Sequence, residues 1–386
     1  MTPNRFIYLD NAATSFPKPE IVYQAVDKAL REECGNPGRS NHRLALSAAC
    51  VVEEARMLCA RLLHAASLDS IVFTNNTTTA LNMAIQGMVS PGDHVITSSL
   101  EHNSVTRPLK YLADKGVEIT KIPTDLKTGL SPKAIEQVVQ KNTKLVVCTH
   151  ISNVTGTVND IAAIGDFCRS KDILFLVDGA QSAGIRPIDV QKMKIDLFAF
   201  PGHKGLLGPQ GTGGLYIRPG LEIAPILIGG TGSASKSLEQ PYTSPERYES
   251  GTLNVPGLAG LAAGTRYLLD IGIPEVARHE KELTTRLLEG IARIPGITLV
   301  GPDETKERGN VVSIRFDRIS VAEAASMMDS AFSIAVRGGL HCSADAHRTM
   351  GTLENGGTLR ISPGYLNTME EIERCLEALA ICSKGV

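Results

Sequence analysis

The sequence contains no tryptophan, and aromatic residues make up only 4% of its 386 positions. A core built from this chain is therefore aliphatic, with few large rings to bury. Positive charge is not in excess either: 39 Lys and Arg stand against 41 Asp and Glu, for a net charge of -2. Nucleic-acid binding is not expected, because a phosphate backbone is held by a surplus of cations. No run of about 18 apolar residues occurs, so no membrane-spanning helix is expected. The opening residues, Met1 to Phe6, lack an apolar signal core, which points to the cytoplasm. Eight cysteines are scattered without a CxxC pair, so neither a metal site nor a disulfide framework is expected. Cys50, Cys59, Cys148, Cys168 and Cys375 fall within helix or strand patterns and read as small buried hydrophobes. Cys34 and Cys382 lie near element ends and read as exposable.

What is present is an alternation. Short apolar runs, Ser70–Thr74, His94–Thr97, Glu118–Ile122, Leu145–Thr149, Leu174–Asp178, Leu197–Phe200 and Gly214–Ile217, are mostly separated by stretches of helical period. Continuous apolar strands between helices predict an α/β domain with a mostly parallel sheet covered on both faces. Near Gly257 the texture changes to long helices with further strands between them, which predicts a smaller α+β domain. The expected division is 16–256 for the large domain, with 1–15 and 257–386 forming the small one. The Gly229–Ser235 run reads as the most flexible segment.

Ligands of open α/β sheets sit at the carboxyl ends of the strands. Asp178 ends one predicted strand, and His203-Lys204 follow another. A carboxylate at one strand end and a lysine at another, 26 residues later, suit pyridoxal phosphate. That cofactor needs an amine for a Schiff base and an acid that keeps its pyridinium nitrogen protonated. Its phosphate needs a helix N-terminus and hydroxyls, which Asn76-Thr77-Thr78-Thr79 supplies. Each signal alone has an ordinary reading as cap, turn or solvated charge; the ordered set carries the argument.

The segments Tyr8–Thr14, Glu101-His102-Asn103, Ser152–Gly156, Asp178–Gln181, Gly202-His203-Lys204 and Arg337–Cys342 together resemble the cysteine desulfurases. These are class-V aminotransferase-like enzymes of fold type I. The short segment around Cys342 resembles the SufS-like, type II group. The resemblance implies a seven-stranded, mostly parallel sheet in the large domain and pyridoxal 5'-phosphate as cofactor. Lys204 would carry the cofactor as a Schiff base, Asp178 would pair with its ring nitrogen, and Gln181 would donate to the ring hydroxyl oxygen. His102 would stack on the ring and move protons. Thr77, Thr78 and His203 would hold the phosphate, joined by Thr252 from the other subunit of a homodimer. Asn153 and Arg360 would grip the carboxylate of L-cysteine, with Arg337 and Ala13 also near the substrate. Cys342 would attack the substrate sulfur and pass it to an acceptor protein for iron–sulfur or thio-cofactor assembly. His341 or His347 would help its thiol ionise.

Two departures from the family pattern stand out. Pro201 occupies a position where the family usually carries a serine, so one hydroxyl and one N–H are missing beside the phosphate. The residues after Cys342, Ser343-Ala344-Asp345-Ala346, also differ from most relatives. The same cofactor residues also suit a selenocysteine or cystine lyase, or a class-V aminotransferase; the last has no use for Cys342. A non-catalytic sulfur carrier that keeps the fold is the reading from another class.

Overall fold

A computed structural model describes residues 6–38, 40–232, 236–303 and 308–385. Met1–Arg5 and Ser233–Ser235, both singled out in the sequence, lie outside these residues. In chain order the first elements are β1 (Ile7–Tyr8), α1 (Glu20–Lys28), α2 (Arg43–Leu62), β2 (Ile71–Thr74), α3 (Thr77–Met88) and β3 (His94–Ser98). There follow α4 (Asn103–Ala113), β4 (Glu118–Ile122), α5 (Pro132–Glu136), β5 (Thr143–Thr149), α6 (Ile161–Ser170), β6 (Leu174–Asp178), β7 (Leu197–Pro201) and β8 (Gly213–Ile217). The C-terminal part comprises α7 (Val255–Ile271), α8 (Ile273–Ile291), β9 (Ile297–Val300), β10 (Val312–Phe316), α9 (Val321–Phe332) and β11 (Ile334–Ala335). It closes with β12 (Arg337–Gly339), α10 (Ala344–Thr349), β13 (Thr358–Ile361) and α11 (Met369–Cys382).

The central sheet has seven strands in the order β2-β8-β7-β6-β5-β3-β4. Only β8 runs against its neighbours, so the sheet is mostly parallel as expected. Its inner strands β5, β6 and β7 are apolar on both faces because both faces are covered, whereas edge strand β4 exposes Glu118 and Lys121. Val146, Cys148, Phe175, Val177, Phe198 and Phe200 join one core, while Leu145, Val147, Leu176, Leu197 and Ala199 join the other. This is the period-2 alternation of a strand, read with apolar residues at every position. Each such side chain contributes about 1.5–3 kcal/mol by leaving water. Helix α7 packs on α1 and α2, and its side chains belong to the first core.

A third core lies around a four-stranded antiparallel sheet, β12-β13-β10-β9, covered by α8, α9 and α11. Strand β1 pairs in parallel with β11, so the chain's beginning joins this part. Capping boxes start α9 (Ser320 with Glu323) and α11 (Thr368 with Glu371).

Several expectations are corrected. The run Ala335–Arg337 reads as one strand, but β11 and β12 belong to different sheets because each follows its own partner. Helix α2 begins at Arg43, capped by the ring of His42, which accepts the Ala45 N–H at 3.2 Å. Helix α1 ends its α-geometry at Lys28 and continues as a π-turn over Ala29–Glu33. Cys50 is exposed rather than buried, because the inward stripe of α2 runs through Ala48, Val51, Val52 and Ala55. Cys382 is buried on the inner face of α11. No helix among the described residues is long and apolar enough to cross a membrane, and none of their side chains cluster as a metal site.

Candidate functional site

Every parallel strand of the centre delivers its last residues to one edge of the sheet. From β2 the chain enters α3 through Asn76–Thr78, and from β3 it enters α4 through Glu101 and His102. Beyond β5 lies Asn153, at the end of β6 stands Asp178, and beyond β7 come His203 and Lys204. Asn76, Thr77, Thr78, His102, Ser104, Thr149, Asn153, Asp178, Gln181, His203 and Lys204 line one cavity at this edge. Gly179 permits the turn that follows Asp178, since a Cβ there would lie 2.1 Å from the Phe198 ring.

Lys204 lies in this cavity with its amine pKa lowered to about 8, mainly by burial, with Asp178 opposing and Arg360 and Arg337 assisting. A neutral amine is the nucleophilic form. Asp178 is buried and accepts the Ala180 N–H at 2.9 Å; burial raises its pKa, and Lys204 pulls it back. A buried carboxylate of this kind is stabilised by a cation beside it. At α3, the Asn76 side chain takes the Thr79 N–H at 2.9 Å, while the first-turn N–H groups of Thr77 and Thr78 have no partner within the helix. The Thr77 hydroxyl is buried and without a partner among the described residues.

The His102 ring is fixed at Nδ1, which accepts the Ser104 N–H at 3.0 Å and meets the Ser104 hydroxyl at 2.8 Å. The ring proton of the neutral form is therefore on Nε2. Burial lowers this histidine's pKa to about 4, with the Lys204 charge adding to it. Ser104 in turn meets Thr78 Oγ1 at 2.8 Å. His203, likewise lowered to about 4 by burial, meets Thr14 Oγ1 at 3.1 Å. Gln181 spends one amide N–H on Ala12 O at 3.0 Å and keeps the second.

Cys342 is exposed and lines an adjoining groove together with Thr78, His102, Ser104 and Arg107. Arg337 Nη2 donates to its sulfur at 3.4 Å. The Cys segment is tied down on three sides. Asn153 Nδ2 donates to His341 O at 2.7 Å, Asn103 N–H to Cys342 O at 2.8 Å, and Ser343 Oγ to Glu101 O at 2.7 Å. His341 and Cys342 both adopt left-handed backbone, with φ of 49° and 58°. The two candidate histidines do not serve the thiol. The His341 ring is buried and donates to Thr358 O at 2.9 Å, and His347 is buried against Thr352 at 2.7 Å. Burial holds both neutral, His347 at about 4, so the positive group at the sulfur is Arg337 instead.

Arg360 is buried next to Asn153 but is not itself part of the cavity lining; it donates to Asp10 at 2.6 Å and to Asn153 O at 3.1 Å. Its Nε is buried without a partner among the described residues. Thr252 is exposed and Ala13 sits half-buried in the turn after Asp10; neither lines the cavity. Pro201 closes the β7 ladder opposite Gly213. Sequence reasoning gave no role to Ser104, which links His102 to Thr78, or to Asp10, the ion partner of Arg360. Ser104 follows a helix-capping histidine by two residues, a position where a hydroxyl reaches the cap. Asp10 carried no signal of its own, because its partner lies 350 residues away.

Residues 7–375 match the profile of the aminotransferase class-V family. The chain belongs to that family. It is 37% identical to a probable cysteine desulfurase of Methanothermobacter thermautotrophicus over 97% of this chain and 94% of that protein. It is 32% identical to the cysteine desulfurase IscS of Methanosarcina thermophila over 98% of this chain and 92% of that protein. Among solved structures, the apo cysteine desulfurase of Thermococcus onnurineus superposes with a TM-score of 0.91 at 34% identity, covering 99% of this chain and 95% of that one.

The family's pyridoxal phosphate fits the residues present. A partnerless buried hydroxyl and open N–H groups at one helix start suit a phosphate. A buried carboxylate in need of a cation suits the pyridinium, and an amine with a lowered pKa suits the aldehyde.

Proposed function

We propose that this protein is a pyridoxal-phosphate-dependent cysteine desulfurase that moves the sulfur of L-cysteine onto Cys342 and releases L-alanine. The observation that carries the reading is Cys342, exposed beside Arg337 on a groove that shares Thr78, His102 and Ser104 with the Lys204 cavity. An aminotransferase has no use for a thiol there.

The bound cofactor supplies an electron sink for the bond changes at the substrate carbon atoms. Thr77 and Thr78 hold its phosphate at the start of α3, and His203 adds its ring once the phosphate is bound. Asp178 keeps a positive charge on the ring nitrogen, and the free N–H of Gln181 reaches the ring oxygen. Arg360 orients the substrate carboxylate, its unpartnered Nε being the donor available. Lys204, its amine pKa brought down to about 8 by burial, takes and returns the α-proton. His102 covers the cavity from α4 with its Nε2 proton, steered by Ser104. Cys342 gives up its thiol proton, forms an S–S bond as the substrate C–S bond breaks, and so stores the sulfur for a thiol acceptor. Arg337 stabilises the negative charge on the attacking sulfur.

We further infer a homodimer in which Thr252 reaches the partner's phosphate, supported by its exposure and by the exposed Leu227, Ile228, Leu238 and Tyr242 nearby in sequence. The short Cys segment between β12 and α10 favours the type II group. We draw the domain division after α7 rather than at 256, because α7 packs in the first core. The deciding experiment incubates the protein with L-cysteine and measures alanine and sulfide in equal amounts, with the persulfide trapped on Cys342 by mass spectrometry. Alanine formed without any mass increase at Cys342 rejects the proposal.

A further inference from the structure

His203 follows β7 with its ring on the wall of the cofactor cavity. Pro201, two residues earlier, brings neither a hydroxyl nor an N–H to that wall. The His203 ring is therefore the polar group that this strand end offers beside Lys204. A neutral imidazole donates from one nitrogen only, and the bond made by the other nitrogen decides which. Nδ1 lies 3.1 Å from Thr14 Oγ1, while Nε2 has no partner among the described residues.

Thr14 has one hydroxyl proton and two acceptors in reach, His203 Nδ1 at 3.1 Å and His203 O at 3.0 Å. If the proton goes to Nδ1, the ring carries its own proton on Nε2. If it goes to the carbonyl, Nδ1–H donates back to the Thr14 oxygen and Nε2 is bare.

We propose that Lys18 decides this choice: by filling the His203 carbonyl it turns the Thr14 hydroxyl onto Nδ1, so that the neutral ring offers an Nε2 proton to the anion in the cavity.

The lone-pair count supports this. A carbonyl oxygen accepts two hydrogen bonds. His203 O meets the Ser15 N–H at 3.0 Å and the Lys18 amine at 2.9 Å, which fills it. The Ser15 hydroxyl lies 3.2 Å from the same oxygen but has a closer acceptor in Lys204 O at 2.9 Å. Its oxygen takes a second Lys18 proton at 2.6 Å. The Leu207 N–H completes Lys204 O at 2.9 Å. Nδ1 is the acceptor left for Thr14. Burial lowers the Lys18 pKa to about 8, so at neutral pH the side chain is still an ammonium. A charged donor displaces a neutral hydroxyl from a shared oxygen, because charge-assisted hydrogen bonds are roughly twice as strong. Burial also keeps the His203 ring neutral, with a pKa of about 4, so the tautomer and not the charge sets what it donates. Lys18 is thus a positioning residue that acts through Thr14.

The tautomer stands apart from the proposed function, but its use on the cofactor's phosphate rests on that reading. Neutron diffraction from crystals of the full chain reads the hydrogen positions directly. Nitrogen-15 spectra of the full chain with labelled histidine rings read them in solution, with His203→Gln identifying the signals. The wild type is expected to carry the ring proton on Nε2. Lys18→Met frees the carbonyl, and the Nδ1–H form is expected to appear. Thr14→Ser keeps the hydroxyl and is expected to match the wild type. A bare Nε2 in the wild type overturns the inference, as does an Nε2–H ring that persists unchanged in Lys18→Met. Titration of the Schiff-base absorbance with pyridoxal phosphate and with pyridoxal reads the anion. Lys18→Met is expected to weaken the phosphate-bearing compound about tenfold relative to pyridoxal. A changed tautomer with that preference intact also overturns the inference. A wild type that binds both compounds equally, with the ring still answering to Lys18, upholds the tautomer and rejects the phosphate reading instead.

Discussion

Arg337 donates to the sulfur of Cys342 across 3.4 Å, from the third-last residue of the β12 strand to an exposed turn. The five-residue spacing brings a fixed cation to the one thiol at the mouth of the cofactor cavity. It takes the place of His341, adjacent in sequence, and His347, whose rings bond to Thr358 and Thr352 instead.

Arg337→Ala should therefore slow alkylation of Cys342 by iodoacetamide at neutral pH by about tenfold, the worth of one charge-assisted hydrogen bond. His347→Gln should leave that rate unchanged. Peptide mass spectrometry separates Cys342 from the exposed Cys34 and Cys50. Equal rates in the wild type and Arg337→Ala would show that the contact does no electrostatic work.

The left-handed backbone at Cys342 costs about 1 kcal/mol for any residue with a Cβ. Cys342→Gly should melt at a higher temperature than Cys342→Ala, although neither forms a persulfide. Calorimetry of the two variants decides it, and a more stable alanine variant contradicts the strain.

Six buried or half-buried histidines have pKa values below their unfolded value of about 6.5, His94 and His341 among them. His102, His203 and His347 fall to about 4, and His150 to about 3. Below pH 6.5 the unfolded chain binds protons that the folded chain refuses. Their contribution to stability is present above pH 6.5 and is lost as the pH falls through 4. The melting temperature should drop steadily from pH 6.5 to 4, and imidazole NMR should find His102 still neutral at pH 5.

Glu101 works in the opposite sense. Its carboxyl is fully buried next to the Asp178 strand end, taking the Thr149 N–H at 3.0 Å and the Ser98 hydroxyl at 2.5 Å, and burial raises its pKa to about 8. The folded state holds a proton that the unfolded chain has released, so this stability is lost as the pH rises from about 4.5 through 8. Glu101→Gln should match the wild type within about 1 kcal/mol at pH 6. At pH 9 it should be the more stable of the two. Denaturant melts at both pH values test the crossover.

Lys204→Ala should purify without the visible absorption of a Schiff base, whereas Cys342→Ala should keep it and release little sulfide. Retention of the band in the lysine variant removes Lys204 from its assigned role.

Much of this was legible in one dimension. Strand-helix alternation gave the mostly parallel sheet, because a strand buried on both faces must be apolar throughout. The sites at strand ends, Asp178, Lys204 and the α3 start, were legible because the chemistry lies within a few residues of a readable element. Period also placed most helix cores, but not Cys50, which lies one step off the stripe of α2. The caps were legible where serine or threonine provides them, and illegible where His42 does.

The sequence by itself determined which residues have the chemistry: one lysine, one thiol, a carboxylate and two arginines in recognisable surroundings. Only the tertiary structure decided which of them meet. Asp10 and Arg360 are 350 positions apart, and Ser104 joins two elements. Such contacts depend on how helices and sheets pack, and packing fixes distances and burial that no local pattern encodes. Burial in turn fixed the protonation states. It silenced His341 and His347, freed the amine of Lys204, and left Arg337 as the cation at Cys342.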